Sequence, residues 1–245
     1  MTTDQPRDLI YAEPRESVSS FVFDEDVARV FPDMIRRSVP GYATVLNMLP
    51  VLASRYVQPG THCYDLGCSL GAASVAMQKG IRTPDCRILA IDNSPEMLAE
   101  AAKHLNEEVQ DTPIQLICAD LVDVGIQNTS MVVLNFTLQF VPPKQRLGVL
   151  QRIRDGLVPG GILVLSEKIS FSDSVQESMQ IEMHHAFKRA NGYGELEISQ
   201  KRSALEQVLI PETLEQHLQR LDRAGFSHAD LWFQCFNFVS LVARK

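Results

Sequence analysis

The sequence predicts an α/β fold with a mostly parallel sheet and a C-terminal antiparallel hairpin, on three observations. Short apolar runs alternate with helix-length segments from Thr61 to Lys168, and crossovers of that kind join parallel strands buried on both faces. A glycine-containing turn separates the first run from the first helix of the series. The terminal run HADLWFQCFNFVSLVARK is too long for one strand and has no helix between its halves, so it reads as two strands joined near Phe236-Asn237.

Taken in order, residues 1–60 are helical and irregular, with breaks expected at Phe31-Pro32 and Pro40-Gly41 and a helix over Tyr42 to Tyr56. They form an N-terminal cap. The alternating region begins with HCYDLG and a helix from Ala72, then RILAID and a helix over Pro95 to Glu108. PIQLICAD follows, then MVVLNF with a helix over Lys144 to Leu157, then GGILVLSEK. Residues 169–224 break the rhythm with three helical stretches and no strand between them, Asp173 to Ala190, Glu195 to Val208 and Pro211 to Ala224, read as an inserted lid. Val175, Met179, Met183 and Phe187 recur every fourth residue in the first, closed by Asn191-Gly192. Core packing is the plainest account of that stripe.

A chain of 245 residues accommodates one sizeable core, so a single domain over 1–245 is expected. With 45% hydrophobic and 22% charged residues it has the balance of a globular protein, and no apolar run approaches a bilayer span. The polar start MTTDQPRDLIYAEPRES lacks the apolar core of a secretory signal, which points to the cytoplasm. Five cysteines, odd in number and without C-x-x-C spacing, read as reduced, buried thiols. The adjacent His184 and His185 point about 100° apart on a helix and make a poor metal clamp, so no metal is expected. A net charge of −7 opposes unaided binding of nucleic acid.

The chemistry concentrates at strand ends. In CYDLGCSLGAASVAM, Gly67, Cys68 and Ser69 turn the chain from strand to helix, with backbone amides expected to face a ligand at the carboxyl edge of the sheet. About 25 residues on, the next strand ends in Asp92, placed to accept hydrogen bonds from two ribose hydroxyls. The dinucleotide pattern G-x-G-x-x-G/A maps as Gly67, Ser69 and Ala72. Its second glycine, which lets backbone approach a pyrophosphate, is missing. That disfavours NAD and FAD and favours an adenosyl ligand without phosphates, such as S-adenosylmethionine. Asp65 then stands near the ligand's ammonium, Asp120 near the adenine amino group with Leu121 on the ring, and Asn135 near the sulfonium. Asp65 or Asp120 alone could equally cap a helix; their occurrence together at successive strand ends favours the ligand. Cys68 has no basic partner nearby in sequence and reads as an ordinary loop residue.

The strings YDLGCSLGAAS, AIDNSPEML, LNFTLQFV, LEISQKRSALE and LWFQCFNF resemble the carboxy-S-adenosyl-L-methionine synthase family of bacterial tRNA wobble-uridine modification, and the likeness spans nearly the whole chain. The resemblance implies a Rossmann-like class I methyltransferase fold that performs no methyl transfer. Prephenate carboxylates the methyl group of S-adenosyl-L-methionine, giving carboxy-S-adenosyl-L-methionine and phenylpyruvate. Aromatisation drives loss of carbon dioxide and hydroxide from prephenate, the hydroxide takes a methyl proton, and the resulting ylide captures the carbon dioxide. The same likeness adds Asn93 and Tyr42 to the cofactor contacts and assigns Arg202 to the new carboxylate, a task suited to a planar guanidinium. From the residues alone, Arg202 reads as a solvated helix position. The resemblance further implies a homodimer in which Arg202 reaches the partner's site, and a downstream tRNA carboxymethyltransferase as consumer of the product.

Two other readings compete. An ordinary S-adenosylmethionine-dependent small-molecule methyltransferase would use the same pocket, yet Asn-Phe-Thr-Leu-Gln-Phe offers neither carboxylate nor histidine as base and lacks an Asn-Pro-Pro-Tyr signature. A cofactor-binding scaffold for a tRNA-modifying partner would bind without turnover.

Overall fold

A computed structural model describes residues 6–105, 112–206 and 208–245. Helices α1 (Glu25–Ser38) and α2 (Tyr42–Tyr56) precede β1 (His62–Leu66), α3 (Ala72–Gly80), β2 (Arg87–Asp92), α4 (Pro95–Leu105) and β3 (Ile114–Cys118). Next come β4 (Thr129–Asn135), a 3-10 turn (Leu138–Phe140), α5 (Pro143–Gly156) and β5 (Leu157–Ser170). Residues 169–224 carry α6 (Ser174–Ala190), α7 (Glu195–Leu205), β6 (Glu212–Thr213) and α8 (Leu214–Arg223), and the chain closes with β7 (His228–Cys235) and β8 (Phe238–Arg244).

The sheet runs β3-β2-β1-β4-β5-β8-β7. Its first five strands are parallel, and β8 pairs antiparallel with both β5 and β7. Strand alternation divides the core. Val132 and Leu134 face Leu150 and Ile153 of α5 and Leu221 of α8, while Met131 and Val133 face Leu49 and Ala53 of α2 and Met77 of α3. The helices on the second face lie so close that a β-carbon on Gly80 would overlap the Pro50 backbone. The predicted strands and the Tyr42–Tyr56 helix are present, and the hairpin turns at Phe236-Asn237, with Phe236 at φ 54°.

Five expectations are corrected. The Phe31-Pro32 break does not occur, because α1 continues through Pro32; burial of Val27, Val30 and Met34 against Tyr11, Phe21 and Ala204 offsets the roughly 3 kcal/mol of an interior proline. A strand does interrupt the lid: Glu212 and Thr213 pair with Ile169 and Ser170, and Glu212 is held by Arg146 and Arg220. The helix α8 therefore starts only at Leu214, capped by Thr213. The apolar stripe of α6 is not core: Val175, Met179 and Met183 are 76%, 50% and 38% exposed, and the face with His184 and Lys188 turns inward instead. A spacing of four defines a stripe without saying which face the tertiary fold covers. Cys118 is exposed on the edge strand β3, although all five cysteines are free thiols. The last three residues of the predicted Pro95–Glu108 helix lie outside the described residues, and α7 ends at Leu205 instead of Val208.

The N-terminal segment is threaded between elements that roof the sheet's carboxyl edge. The Phe21 amide donates to the Ala204 carbonyl of α7 at 3.0 Å, and the Ser94 hydroxyl to the Phe23 carbonyl at 2.7 Å. Among the described residues no helix is long and apolar enough to cross a membrane.

Candidate active site

A cavity of about 480 Å³ opens at the carboxyl ends of β1, β2 and β4, the edge where doubly wound sheets hold ligands. Its floor is the β1–α3 turn. Gly67 (φ 76°) and Ser69 (φ 50°) both take the left-handed conformation, so Ser69 adopts the backbone shape that favours glycine while carrying a side chain. A β-carbon on Gly67 would overlap the Thr137 side chain.

The amides of this turn do not face the cavity as free donors, which corrects the expectation from the motif. The Gly67 and Cys68 amides donate to the Ile91 carbonyl at 2.8 and 2.9 Å, and the Ser69 amide to Oδ2 of Asp92 at 2.8 Å. With these three donors committed, residues 67–69 offer no amide to a phosphate. The case against phosphates therefore rests on these bonded amides as well as on the absent glycine.

Asp92 also accepts the Ser94 amide through Oδ1 at 3.0 Å. Burial raises its pKa, opposed by these backbone donors. Each oxygen keeps a lone pair for ligand hydroxyls. Neighbouring Asn93 is exposed at the cavity rim.

Asp65 is fully buried. Its Oδ2 accepts the Ser74 hydroxyl at 2.7 Å, and Oδ1 has no partner among the described residues. Burial pushes this carboxyl up to about 6 against the Ser74 hydrogen bonds, with the Asp92 charge adding to the rise. Asn135 ends the adjacent strand, two positions beyond the Val133 that pairs with Asp65, and its Oδ1 is likewise buried without a partner. Two orphaned acceptors on neighbouring strand tips call for a cationic or hydrogen-bond-donating ligand. A sulfonium and an ammonium on one adenosyl ligand fit that donor set.

The remaining predicted residues line the same cavity. Tyr42 at the start of α2 lies 6.3 Å from the Phe136 ring, and burial, reinforced by Asp65, raises its pKa and keeps the phenol neutral. Asp120 is exposed and accepts the Val122 amide at 3.0 Å within a turn that no helix follows, so it caps no helix; Leu121 beside it is half-buried. Cys68 is buried, and burial together with Asp65 and Asp92 pushes its thiol far up, which removes it as a nucleophile. Arg202 borders the cavity with a largely exposed side chain 3.4 Å from Glu206.

Motif reading missed the cavity's cationic wall. Lys168 at the end of β5, Lys188 on α6 and Lys201 on α7 line it together with His184 and His185. The His184–Lys188 spacing of four, offset from the Val175 stripe, was the available signal. Burial and the nearby lysines drive His184 down to about 2, and its Nε2 bonds the Ser38 carbonyl at 2.8 Å.

Residues 64–161 match a methyltransferase domain. The carboxy-S-adenosyl-L-methionine synthase of Trichlorobacter lovleyi is 60% identical over 239 residues, 97% of this chain and 98% of that protein. The enzyme of the same name from Shewanella sp. strain W3-18-1 is 57% identical over the full length of both. The chain belongs to the carboxy-S-adenosyl-L-methionine synthase family. The fold of this synthase family member also matches solved class I methyltransferases. Human N-acetylserotonin methyltransferase in complex with SAM superposes with a TM-score of 0.61 at 17% identity, over 99% of this chain and 63% of that one. An O-methyltransferase family 2 protein from Planctomyces limnophilus gives 0.57 at 19%, over 90% and 61%.

Proposed function

We propose that this chain carboxylates the methyl group of S-adenosyl-L-methionine with prephenate as donor, forming carboxy-S-adenosyl-L-methionine and phenylpyruvate. The observation that carries the reading is the pair of orphaned acceptors, Asp65 Oδ1 and Asn135 Oδ1, beside a turn whose Gly67, Cys68 and Ser69 amides are already bonded within the protein. The bound sulfonium supplies an unusually acidic methyl group. Asp92 and Asn93 hold the ribose, Asp120 and Leu121 the adenine, and Asp65 with the Gly67–Ser69 turn the methionyl end. Tyr42 covers the ligand as a neutral phenol. Arg202 pairs with the new carboxylate through both nitrogens of its fork. No protein nucleophile enters: Cys68 stays protonated, and Asn135 cannot act as a base. The chain's work is positioning and exclusion of water.

The same reading extends to assembly and context. The exposed α6 stripe of Val175, Met179 and Met183 supports a homodimer, through which Arg202, exposed at the cavity rim, would serve the partner's site. The protein acts in the cytoplasm, as one domain with residues 169–224 as its lid, needs no metal and does not itself hold nucleic acid. A downstream tRNA carboxymethyltransferase consumes the product to make 5-oxyacetyl-uridine at the wobble position.

Incubation with S-adenosyl-L-methionine and prephenate tests this. A nucleoside product heavier by one carbon dioxide, formed with phenylpyruvate, is expected. S-adenosylhomocysteine in its place would establish ordinary methyl transfer, and binding without turnover a scaffold.

A further inference from the structure

Lys188 is only 6% exposed, lines the cavity, and its ammonium makes no hydrogen bond or ion pair among the described residues. Lys168 lines the same wall and its ammonium is likewise without a partner there. Glu177 acts on Lys168 as an opposite charge but forms no ion pair with it, and its Oε2 accepts the Phe171 amide. The two other cations of this wall are paired, Lys201 with Asp8 at 3.4 Å and Arg202 with Glu206. Lys188 is buried and Lys168 half-buried on one cavity wall, and two ammonium groups held there without a carboxylate partner favour an anion that pairs with both.

The surroundings narrow the anion. Lys168 pairs across the sheet with Phe238. From there the rings form a chain: His184 to Phe238 at 4.8 Å, Phe238 to Phe136 at 5.9 Å, Phe136 to Tyr42 at 6.3 Å. Phe136 follows Asn135 directly and is held at φ 62°. This aromatic path links the strand tip assigned to the sulfonium with the lysine pair, so a cyclic molecule lying on it brings one end to each.

We propose that Lys168 and Lys188 form the subsite for the carboxylate that the carboxyl donor keeps. The inference rests on the reading of the donor as prephenate, which bears one carboxylate on its ring and one on its 2-oxo side chain. The ring carboxylate departs as carbon dioxide and the ring hydroxyl as hydroxide, leaving phenylpyruvate with the side-chain carboxylate intact. Gripping the retained group fixes the ring, leaves the departing one free at the sulfonium end, and makes phenylpyruvate a competitive product inhibitor at the same lysines.

The test uses full-length Lys168→Met, Lys188→Met and Lys188→Arg proteins, because Met preserves the buried stem and Arg restores the charge. Binding of S-adenosyl-L-methionine is expected to stay within about threefold in all three, which also reports intact folding. The KM for prephenate and the Ki of phenylpyruvate should rise together by at least about tenfold in each Met variant, with kcat changed less, and Lys188→Arg should recover much of both. Unchanged KM and Ki in the Met variants would overturn the subsite, as would a loss confined to kcat. Failure of the parent reading looks different: wild-type protein would then neither turn over prephenate nor bind phenylpyruvate, whatever the lysines do.

Discussion

The Ser69 amide donates to Oδ2 of Asp92 across 2.8 Å, so the residue that replaces a motif glycine is anchored by the residue assigned to the ribose. One carboxylate thus shapes the turn and receives the ligand. Asp92→Asn keeps an acceptor for only one of the Ser69 and Ser94 amides and sets its NH2 against the other. S-adenosyl-L-methionine affinity should fall about 10- to 100-fold by titration calorimetry, and the melting temperature by a few degrees. Undiminished affinity would remove Asp92 from the site.

Gly67 combines a positive φ with contact against Thr137. Gly67→Ala should destabilise the protein by about 1–3 kcal/mol in denaturant titrations. The double variant with Thr137→Ala should recover the steric part and leave the conformational part. No recovery would mean the left-handed backbone alone sets the cost.

The α6 stripe predicts assembly. Met179→Glu with Met183→Glu should give a monomer in sedimentation experiments and abolish any dependence of the melting temperature on protein concentration, while the single chain keeps its fold because both side chains are exposed in it. A wild-type monomer at micromolar concentration would overturn this assignment.

Arg202→Ala should abolish formation of the carboxylated product while S-adenosyl-L-methionine binding is nearly retained, because a methyl group offers the guanidinium nothing to pair with. Equal loss of both, measured by mass spectrometry and calorimetry, would reassign the residue.

Glu167 gives a pH signature. It is fully buried, Oε1 accepts the Leu138 amide at 3.0 Å, and Oε2 has no partner among the described residues. Burial raises the carboxyl to about 8 despite Arg146 and the backbone donors. The folded value lies above the unfolded one, so the folded state holds the extra proton and this group's contribution is lost as pH rises from the ordinary glutamate range through about 8. Glu167→Gln, which mimics the protonated form, should melt near wild type at about pH 5 and above it at about pH 8.5. A gap that does not change with pH would refute the assignment.

The sequence by itself determined the order of strands and helices, the hairpin and the acids at strand tips, because period-two and helix-length patterns and glycine placement are local properties. It also carried the family, in strings such as YDLGCSLGAAS. Pro32 was misread because the proline's local penalty is outweighed by burial against Tyr11, Phe21 and Ala204, residues remote in sequence. Only the tertiary structure decided which face of α6 turns inward, since periodicity is blind to rotation about the helix axis. It alone gathered Lys168, Lys188 and Lys201 from separate elements into one wall, and it showed the turn's amides already bonded to Ile91 and Asp92. Those facts depend on long-range packing, which fixes where a side chain's charge is left without a partner.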